Sequence, residues 1–345
     1  MKNSLLRFRI TAIVLLFLVL TTALLSIRFG AVKITPDEIV SALKKSLLSN
    51  EATTLNERIF LEIRLPRVII SILVGASLAI GGVLMQALFR NPVIEPGFIG
   101  TSSGAAFGAA MYFVLGSSFS SLLGEWMLPA FAIAGSLLST IMVLALGSKP
   151  DGSANPGVIM LLTGIAVNSL FLSGVGFLSY MSRDPQARSI TFWSLGTLSG
   201  ASWKSVTIIG LSTSITSCLA WLSSNSLNSL LLGEEDARYL GVHVRRLKIR
   251  ILLLNVILVG IATAFVGVIG FVGLIVPHIL RFLHGADNRY LIPNSALLGA
   301  LLLTLSDLGA RLIVQPAELP IGIVTSLIGV PVFIFLVRSK LKINS

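Results

Sequence analysis

The chain has 345 residues, of which 54% are hydrophobic and 12% are charged, and its mean hydropathy is +0.91. A soluble domain carries roughly twice that share of charged residues, so the composition excludes a soluble protein and indicates an all-α polytopic membrane protein. The net charge of +11 does not require a nucleic-acid partner, because an excess of Lys and Arg in cytoplasmic loops explains it. One cysteine, Cys218, excludes a disulfide framework within one chain.

Apolar runs predict about ten transmembrane helices within a single transmembrane domain over residues 1–345. The runs lie near residues 10–29, 67–89, 97–117, 126–147, 157–181, 204–223, 247–267, 270–283, 293–313 and 318–338. The first run follows Lys2, Arg7 and Arg9, but no clear small-residue cleavage site comes after it. We therefore interpret it as an uncleaved span rather than a signal peptide.

The distribution of basic residues favours an orientation with both termini in the cytoplasm. An even number of spans places the termini on the same side. In this orientation the inner segments hold 15 of the 26 Lys and Arg residues. The first outer segment, about residues 31–65, is polar enough to lie in the periplasm. Its sequence Thr35-Pro36-Asp37-Glu38 predicts the start of a short helix along the membrane surface.

Asp307 is the one acid in the interior of a predicted span. Arg311 lies one helical turn later, which favours an ion pair near the outer membrane face over a proton-relay carboxylate. Gly100, Gly104 and Gly108 recur at every fourth residue and form two overlapping small-xxx-small motifs. Small residues let helices approach closely in lipid, so these glycines predict helix packing.

The most charged stretch, residues 224–250, lies in the cytoplasm in this orientation. Gly233 and Gly241 bracket about two helical turns within it, and Gly241 stands where a glycine would end a helix. Glu234 and Arg238 are four residues apart and can pair on one face. The first turn carries three acids, as a helix dipole favours: Glu234, Glu235 and Asp236. Such a run is typical of a solvated loop, and the alternative is a short helix that contacts a soluble partner.

The sequence contains no GxxxxGK[ST] or HExxH pattern, so it lacks a recognisable nucleotide-hydrolysing or metalloprotease motif. Its one GxSxG match, residues 100–104 (GTSSG), coincides with the small-xxx-small glycines of an apolar run, which favours helix packing over a serine-hydrolase nucleophile. The three histidines, His243, His278 and His284, are too dispersed to favour a metal site. We expect no catalytic residue, no metal ligand set and no cofactor bound by this chain.

Several long motifs, in order, resemble the iron-chelate, haem and cobalamin import permeases, which are the membrane subunits of type II ABC importers. The motifs are residues 64–67 (RLPR) with Gln86, 90–100 (RNPVIEPGFIG), 270–281 (GFVGLIVPHILR), 318–322 (ELPIG) and 329–331 (GVP). The resemblance covers nearly the whole chain. One departure is Asn288, where the family commonly has histidine. We interpret it as minor, because Asp287 and Arg289 remain.

The resemblance implies the type II ABC importer permease fold, with ten helices per subunit and a homodimer around a central pathway. It implies two ATPase subunits at the cytoplasmic face, which use ATP and Mg, and an extracytoplasmic substrate-binding protein. The implied function is import of a ferric chelate, either haem or an iron-siderophore, across the bacterial inner membrane. A cobalamin importer permease is the alternative.

The resemblance also implies two groups of contact residues. Arg64, Arg67 and Arg311 would receive acidic residues of the binding protein, a role that suits the planar guanidinium group. Anchoring to lipid head groups is the alternative. The segment that would seat in the ATPase cleft, with Ala237 and Leu240 supplying contact area, comprises Gly233, Glu234, Glu235, Asp236, Ala237, Arg238, Leu240 and Gly241.

The pathway and gate candidates are mildly polar residues in or beside the spans: Gln86, Asn155, Pro156, Gly157, Thr163, Asn168 and Arg188. Residues 155–157 lie in the inner loop where the family places its cytoplasmic gate. Residues 188–193 (RSITFW) resemble a segment common among haem-type and siderophore-type members, which favours a ferric chelate.

Two other function classes fit the sequence less well. A secondary transporter driven by an ion gradient requires buried titratable groups near the membrane midplane, and charges within the predicted spans are nearly absent. A membrane-bound enzyme requires a catalytic cluster at one face, and no such pattern is visible in the sequence.

Overall fold

The computed structural model describes residues 2–30, 32, 34–48, 54–116, 124–147, 156–314 and 317–343, and these residues form helices and connecting turns without a strand. Ten apolar helices match the ten predicted spans one to one, which confirms the all-α membrane fold. Seven are long enough to cross a membrane: Leu6–Arg28, Leu55–Leu88, Gly124–Gly147, Val158–Met181, Trp203–Leu222, Val244–Val266 and Asn288–Ile313. Three are shorter: Thr101–Leu115, Val272–His284 and Ile321–Phe335.

We number the helices in chain order. They are α1 (Lys2–Arg28), α2 (Pro36–Leu48), α3 (Leu55–Leu88), α4 (Thr101–Leu115), α5 (Met127–Gly147), α6 (Pro156–Met181), α7 (Asp184–Ser194), α8 (Trp203–Leu222), α9 (Ser224–Leu232), α10 (Glu234–Tyr239), α11 (Val244–Val266), α12 (Val272–His284), α13 (Asn288–Ile313) and α14 (Ile321–Ile343). The prediction of a helix that starts at Pro36 is confirmed by α2. Helices α7 and α9 were not predicted, because each is too short and too polar to register as a span.

The bundle has two ends, which we name after the residues found there. At the α10 end, Phe8 of α1 stacks on Tyr290 of α13 with 4.4 Å between ring centroids. Arg90, just after α3, lines a cleft there together with Glu234 of α10. At the opposite end, which we call the arginine end, the last turn of α1 meets the first turns of α3 and the last turn of α13. The two predicted contact regions therefore lie at opposite ends of the bundle.

Helix α3 occupies the centre of the bundle and is buried along most of its length. A Cβ atom on Gly75 of α3 would lie 2.3 Å from the carbonyl oxygen of Gly299, so the backbones of α3 and α13 are in direct contact. Likewise, a Cβ atom on Gly104 of α4 would lie 2.3 Å from the carbonyl oxygen of Gly135 in α5. This contact confirms the predicted packing role of the α4 glycines.

Two of the shorter helices, α4 and α12, begin inside the bundle rather than at its surface. Pro96, in the turn before α4, packs so tightly on Gly273 of α12 that a Cβ atom there would lie 2.6 Å from its ring. Non-helical backbone at this depth needs internal hydrogen-bond partners. Glu95 supplies one, because its Oε1 accepts a hydrogen bond of 2.8 Å from the backbone N–H of Phe271. The predicted spans 97–117 and 270–283 are therefore shorter helices, each preceded by irregular chain.

Candidate functional sites

Helix α10 is a two-turn helix with a glycine at each end, as predicted. Gly233 precedes it at a φ of 142°, and Gly241 follows it at a φ of 82°. The backbone N–H of Gly241 donates to Arg238 at 2.9 Å, and that of Val242 donates to Ala237 at 2.9 Å. This pair of bonds is a Schellman motif, in which a left-handed residue after the helix satisfies its last carbonyl groups. The positive φ explains why glycine occupies position 241.

The exposed surface of α10 differs from the predicted one in two respects. Ala237 is fully buried, so it packs within the chain and does not supply the external contact area that we expected. Leu240, the other predicted contact residue, is 61% exposed, and its neighbour Tyr239 is 89% exposed. Glu234 forms an ion pair of 2.6 Å with Lys248 of α11, rather than the predicted pair with Arg238. The charges left exposed on this surface are those of Glu235, Asp236 and Arg238.

A polar contact attaches α9, the helix before α10, to the start of α13. The side-chain amide of Asn228 donates to Asp287 Oδ1 at 2.7 Å, and its oxygen accepts from the backbone and side-chain amides of Asn288 at 2.8 and 2.9 Å. Asn288 is fully buried, so the departure that we interpreted as minor is a structural contact. Hydrogen bonds from Arg289 and then Asn228 hold the pKa of Asp287 below its ordinary value.

At the arginine end, one buried carboxylate bridges two arginines. Asp307 Oδ1 accepts from Nε and Nη2 of Arg67 at 3.0 and 2.9 Å, and its Oδ2 accepts from Nε of Arg311 at 3.0 Å. The predicted ion pair between Asp307 and Arg311 is therefore confirmed, and Arg67 is a second partner. A second carboxylate, Glu318, lies on the other side of Arg67, with both of its oxygens 2.9 Å from Nη1.

The remaining donors of this cluster bond to backbone carbonyl groups at the end of α1. Arg311 donates to Ser26 and Phe29, and Arg64 donates to Ile27 and Val32. The three arginines are only 7–8% exposed. Among the described residues, no carboxylate forms an ion pair with Arg64, so the three arginines and two acids leave one positive charge in excess.

The predicted pathway residues do not form one site. Gln86 is fully buried; its amide donates to the carbonyl groups of Gly273 and Leu274 at 3.3 and 3.2 Å, and its oxygen accepts from Arg281. It therefore joins α3 to α12.

The other pathway candidates lie on two helices and beside one of them. Thr163 donates to the Ile159 carbonyl group within α6, and Asn168 is half-buried on that helix. Arg188 is exposed on α7. Pro156 and Gly157 begin α6, and Asn155 lies outside the described residues. Their part in a pathway stays a prediction.

An open cavity of about 690 Å³ lies elsewhere, between the end of α7, the irregular chain before α12 and the first half of α14. Its walls are mostly apolar, and they are formed by Ser194, Leu195, Val268, Gly270, Gly322, Ile323, Ser326, Leu327, Val330 and Pro331. Sequence reasoning missed this cavity because its three walls are far apart along the chain. The only local signal was that residues 318–322 and 329–331 belong to recognised motifs.

Comparisons with known proteins give consistent results. Residues 16–339 match the model of the FecCD transport family. The hemin transport system permease protein HmuU of Yersinia pestis is 44% identical over 279 residues, covering 81% of this chain and 83% of that protein. The iron(3+)-hydroxamate import system permease protein FhuB of Bacillus subtilis is 38% identical over 319 residues, covering 92% of this chain and 80% of that protein.

Two further matches extend over nearly the whole chain. The vitamin B12 import system permease protein BtuC of Vibrio vulnificus is 35% identical, covering 96% of this chain and 95% of that protein. A solved structure of a metal-chelate type ABC transporter in an inward-facing conformation is 30% identical, with a TM-score of 0.82 over 95% of this chain and 98% of that chain. This chain therefore belongs to the FecCD transport family of membrane permeases.

Proposed function

We propose that this chain is the membrane subunit of an ATP-driven importer for a ferric chelate, either haem or an iron-siderophore. The observation that carries the proposal is the 44% identity to a hemin permease, together with 38% identity to a hydroxamate permease. Cobalamin is the second candidate, because a vitamin B12 permease matches 96% of the chain at 35% identity.

The proposed assembly uses both ends of the bundle. Two copies of the chain form a homodimer in the bacterial inner membrane, with both termini in the cytoplasm. An ATPase subunit binds the exposed surface of α10 on each copy and uses ATP and Mg. A short helix with exposed charges suits this role, because it can transmit rigid-body movement of a partner to the spans on either side. At the arginine end, Arg64, Arg67 and Arg311 receive acidic residues of an extracytoplasmic binding protein, which the excess positive charge there supports.

The transport path in this proposal runs along the open cavity beside α14. An apolar wall with few polar groups suits a bulky chelate that must be released as well as bound. Arg188 on α7 is exposed and is available to meet an anionic group of the chelate near its entry. The second copy of the chain closes the open side of the cavity.

Transport by the purified system tests the proposal. The chain is reconstituted in vesicles with its ATPase and binding protein, and uptake of hemin, a ferric hydroxamate and cobalamin is measured with and without ATP. We expect ATP-dependent uptake of one ferric chelate in preference to cobalamin. Uptake by the chain alone under an imposed ion gradient would contradict the proposal, and preferential uptake of cobalamin would select the second candidate.

A further inference from the structure

Arg67 is held between two carboxylates that differ strongly in exposure. Asp307 binds its Nε and Nη2 edge and is 1% exposed, whereas Glu318 binds Nη1 and is 44% exposed. Removing a buried partner would leave guanidinium groups without compensation at a large cost. A half-exposed carboxylate loses much less when it turns into water, because solvent screens such a pair. Glu318 is therefore the exchangeable partner of Arg67, and Asp307 is the permanent one.

The segment that carries Glu318 is attached to the wall of the cavity. The backbone N–H of Leu319 donates to Ala310 in α13 at 3.2 Å. Two residues later, the N–H groups of Ile321 and Gly322 donate to the carbonyl groups of Gly196 and Leu195, at 3.1 and 3.0 Å, just after α7. Helix α14 begins at Ile321, and its first turns line the cavity. A displacement of Glu318 therefore acts on the start of a helix that forms the cavity wall.

We propose that Glu318 occupies the site on the outward side of Arg67 where an acidic side chain of the binding protein binds, and that this side chain replaces Glu318 when the binding protein docks. The exchange releases residues 317–320 and loosens the start of α14 beside the cavity. This inference rests on the docking role proposed for the arginine end. It adds a competitor to that role, because the chain's own carboxylate must leave before the partner's carboxylate can bind Arg67.

Binding measurements on the Glu318→Gln variant test the exchange. Glutamine keeps the shape of the side chain and removes its charge. The complete transporter is placed in nanodiscs, and the affinity of its fluorescently labelled binding protein is measured at several salt concentrations. We expect Glu318→Gln to bind about two- to fivefold more tightly than the wild type, because the competing ion pair of a half-exposed group is gone. If Glu318 only supports the fold, the variant binds equally or more weakly, and that result would overturn the inference.

A matched control separates this effect from a general change in charge. Glu125 is also an exposed carboxylate paired with a cation, Lys204, but the pair lies outside the arginine cluster. Glu125→Gln removes the same charge and should leave the affinity unchanged. Equal tightening by both variants would overturn the exchange. Failure of the proposed function looks different: the wild type itself would not bind, or Arg311→Gln would bind as well as the wild type.

Cysteine labelling tests the second step, the loosening of α14. Cys218 is exposed, so it is first replaced by serine. Ser326, which lines the cavity, is then changed to cysteine and modified with a water-soluble maleimide. We expect faster modification in Glu318→Gln than in its parent, and a similar increase when the binding protein docks on the parent. Identical rates in all three samples would overturn the link between Glu318 and α14.

Discussion

The buried carboxylate of Asp307 gives the sharpest test of how the arginine end is stabilised. Asp307→Asn keeps the shape of the side chain but leaves Arg67 and Arg311 facing each other without the charge between them. Breaking a buried ion pair by removing one partner costs about 3–5 kcal/mol. An unfolding entropy of about 2.1 cal/mol/K per residue means that, in a chain of 345 residues, 1 kcal/mol lowers the thermal midpoint by about 1.4 °C. We therefore expect the midpoint of the variant to fall by about 4–7 °C.

Thermal unfolding of the purified chain in nanodiscs measures this effect, and Glu318→Gln is the matched control. Both variants remove one carboxylate from Arg67, but Glu318 is half-exposed and its loss should cost only about 0–1 kcal/mol. The two midpoints should therefore differ clearly. Equal midpoints would show that burial of Asp307 contributes nothing, and the reasoning about permanent and exchangeable partners would be wrong.

Three further predictions concern the α10 end. Asn228→Ala should remove all three hydrogen bonds that attach α9 to the start of α13 and uncouple ATP hydrolysis from transport; unchanged coupling, measured as chelate transported per ATP, would contradict this. Gly241→Ala should destabilise the end of α10 by about 1 kcal/mol or more, because residue 241 has a φ of 82°, and should therefore weaken ATPase binding. Gly176→Ala, at an open position without a positive φ, should leave ATPase binding unchanged. The amount of ATPase that co-purifies with each variant measures the difference. Because the pKa of Asp287 is lower in the folded chain, its stabilisation is present above its unfolded pKa, near 4, and is lost as the pH falls through the folded value. Asp287→Asn should therefore abolish this part of the acid sensitivity in unfolding measured between pH 3 and 6.

Local patterns in the sequence determined the number and type of the spans and the ends of the short helices. Ten apolar runs predicted ten apolar helices, because hydrophobic length is a property of consecutive residues. Pro36 predicted the start of α2, and Gly241 predicted the end of α10, because caps depend on residues within one turn. The ion pair of Asp307 with Arg311 was predictable for the same reason, since the two residues are four apart on one helix.

Only the tertiary structure decided which distant groups meet. Arg67 and Asp307 are separated by 240 positions, and Asn228 and Asn288 by 60, so no periodicity indicates either contact. The sequence also did not show that Ala237 is on the buried side of α10, because a two-turn helix has no hydrophobic stripe long enough to indicate which side faces the bundle. Caps and span lengths depend on neighbouring residues, whereas the arginine cluster and the cavity beside α14 exist only after distant helices have packed together.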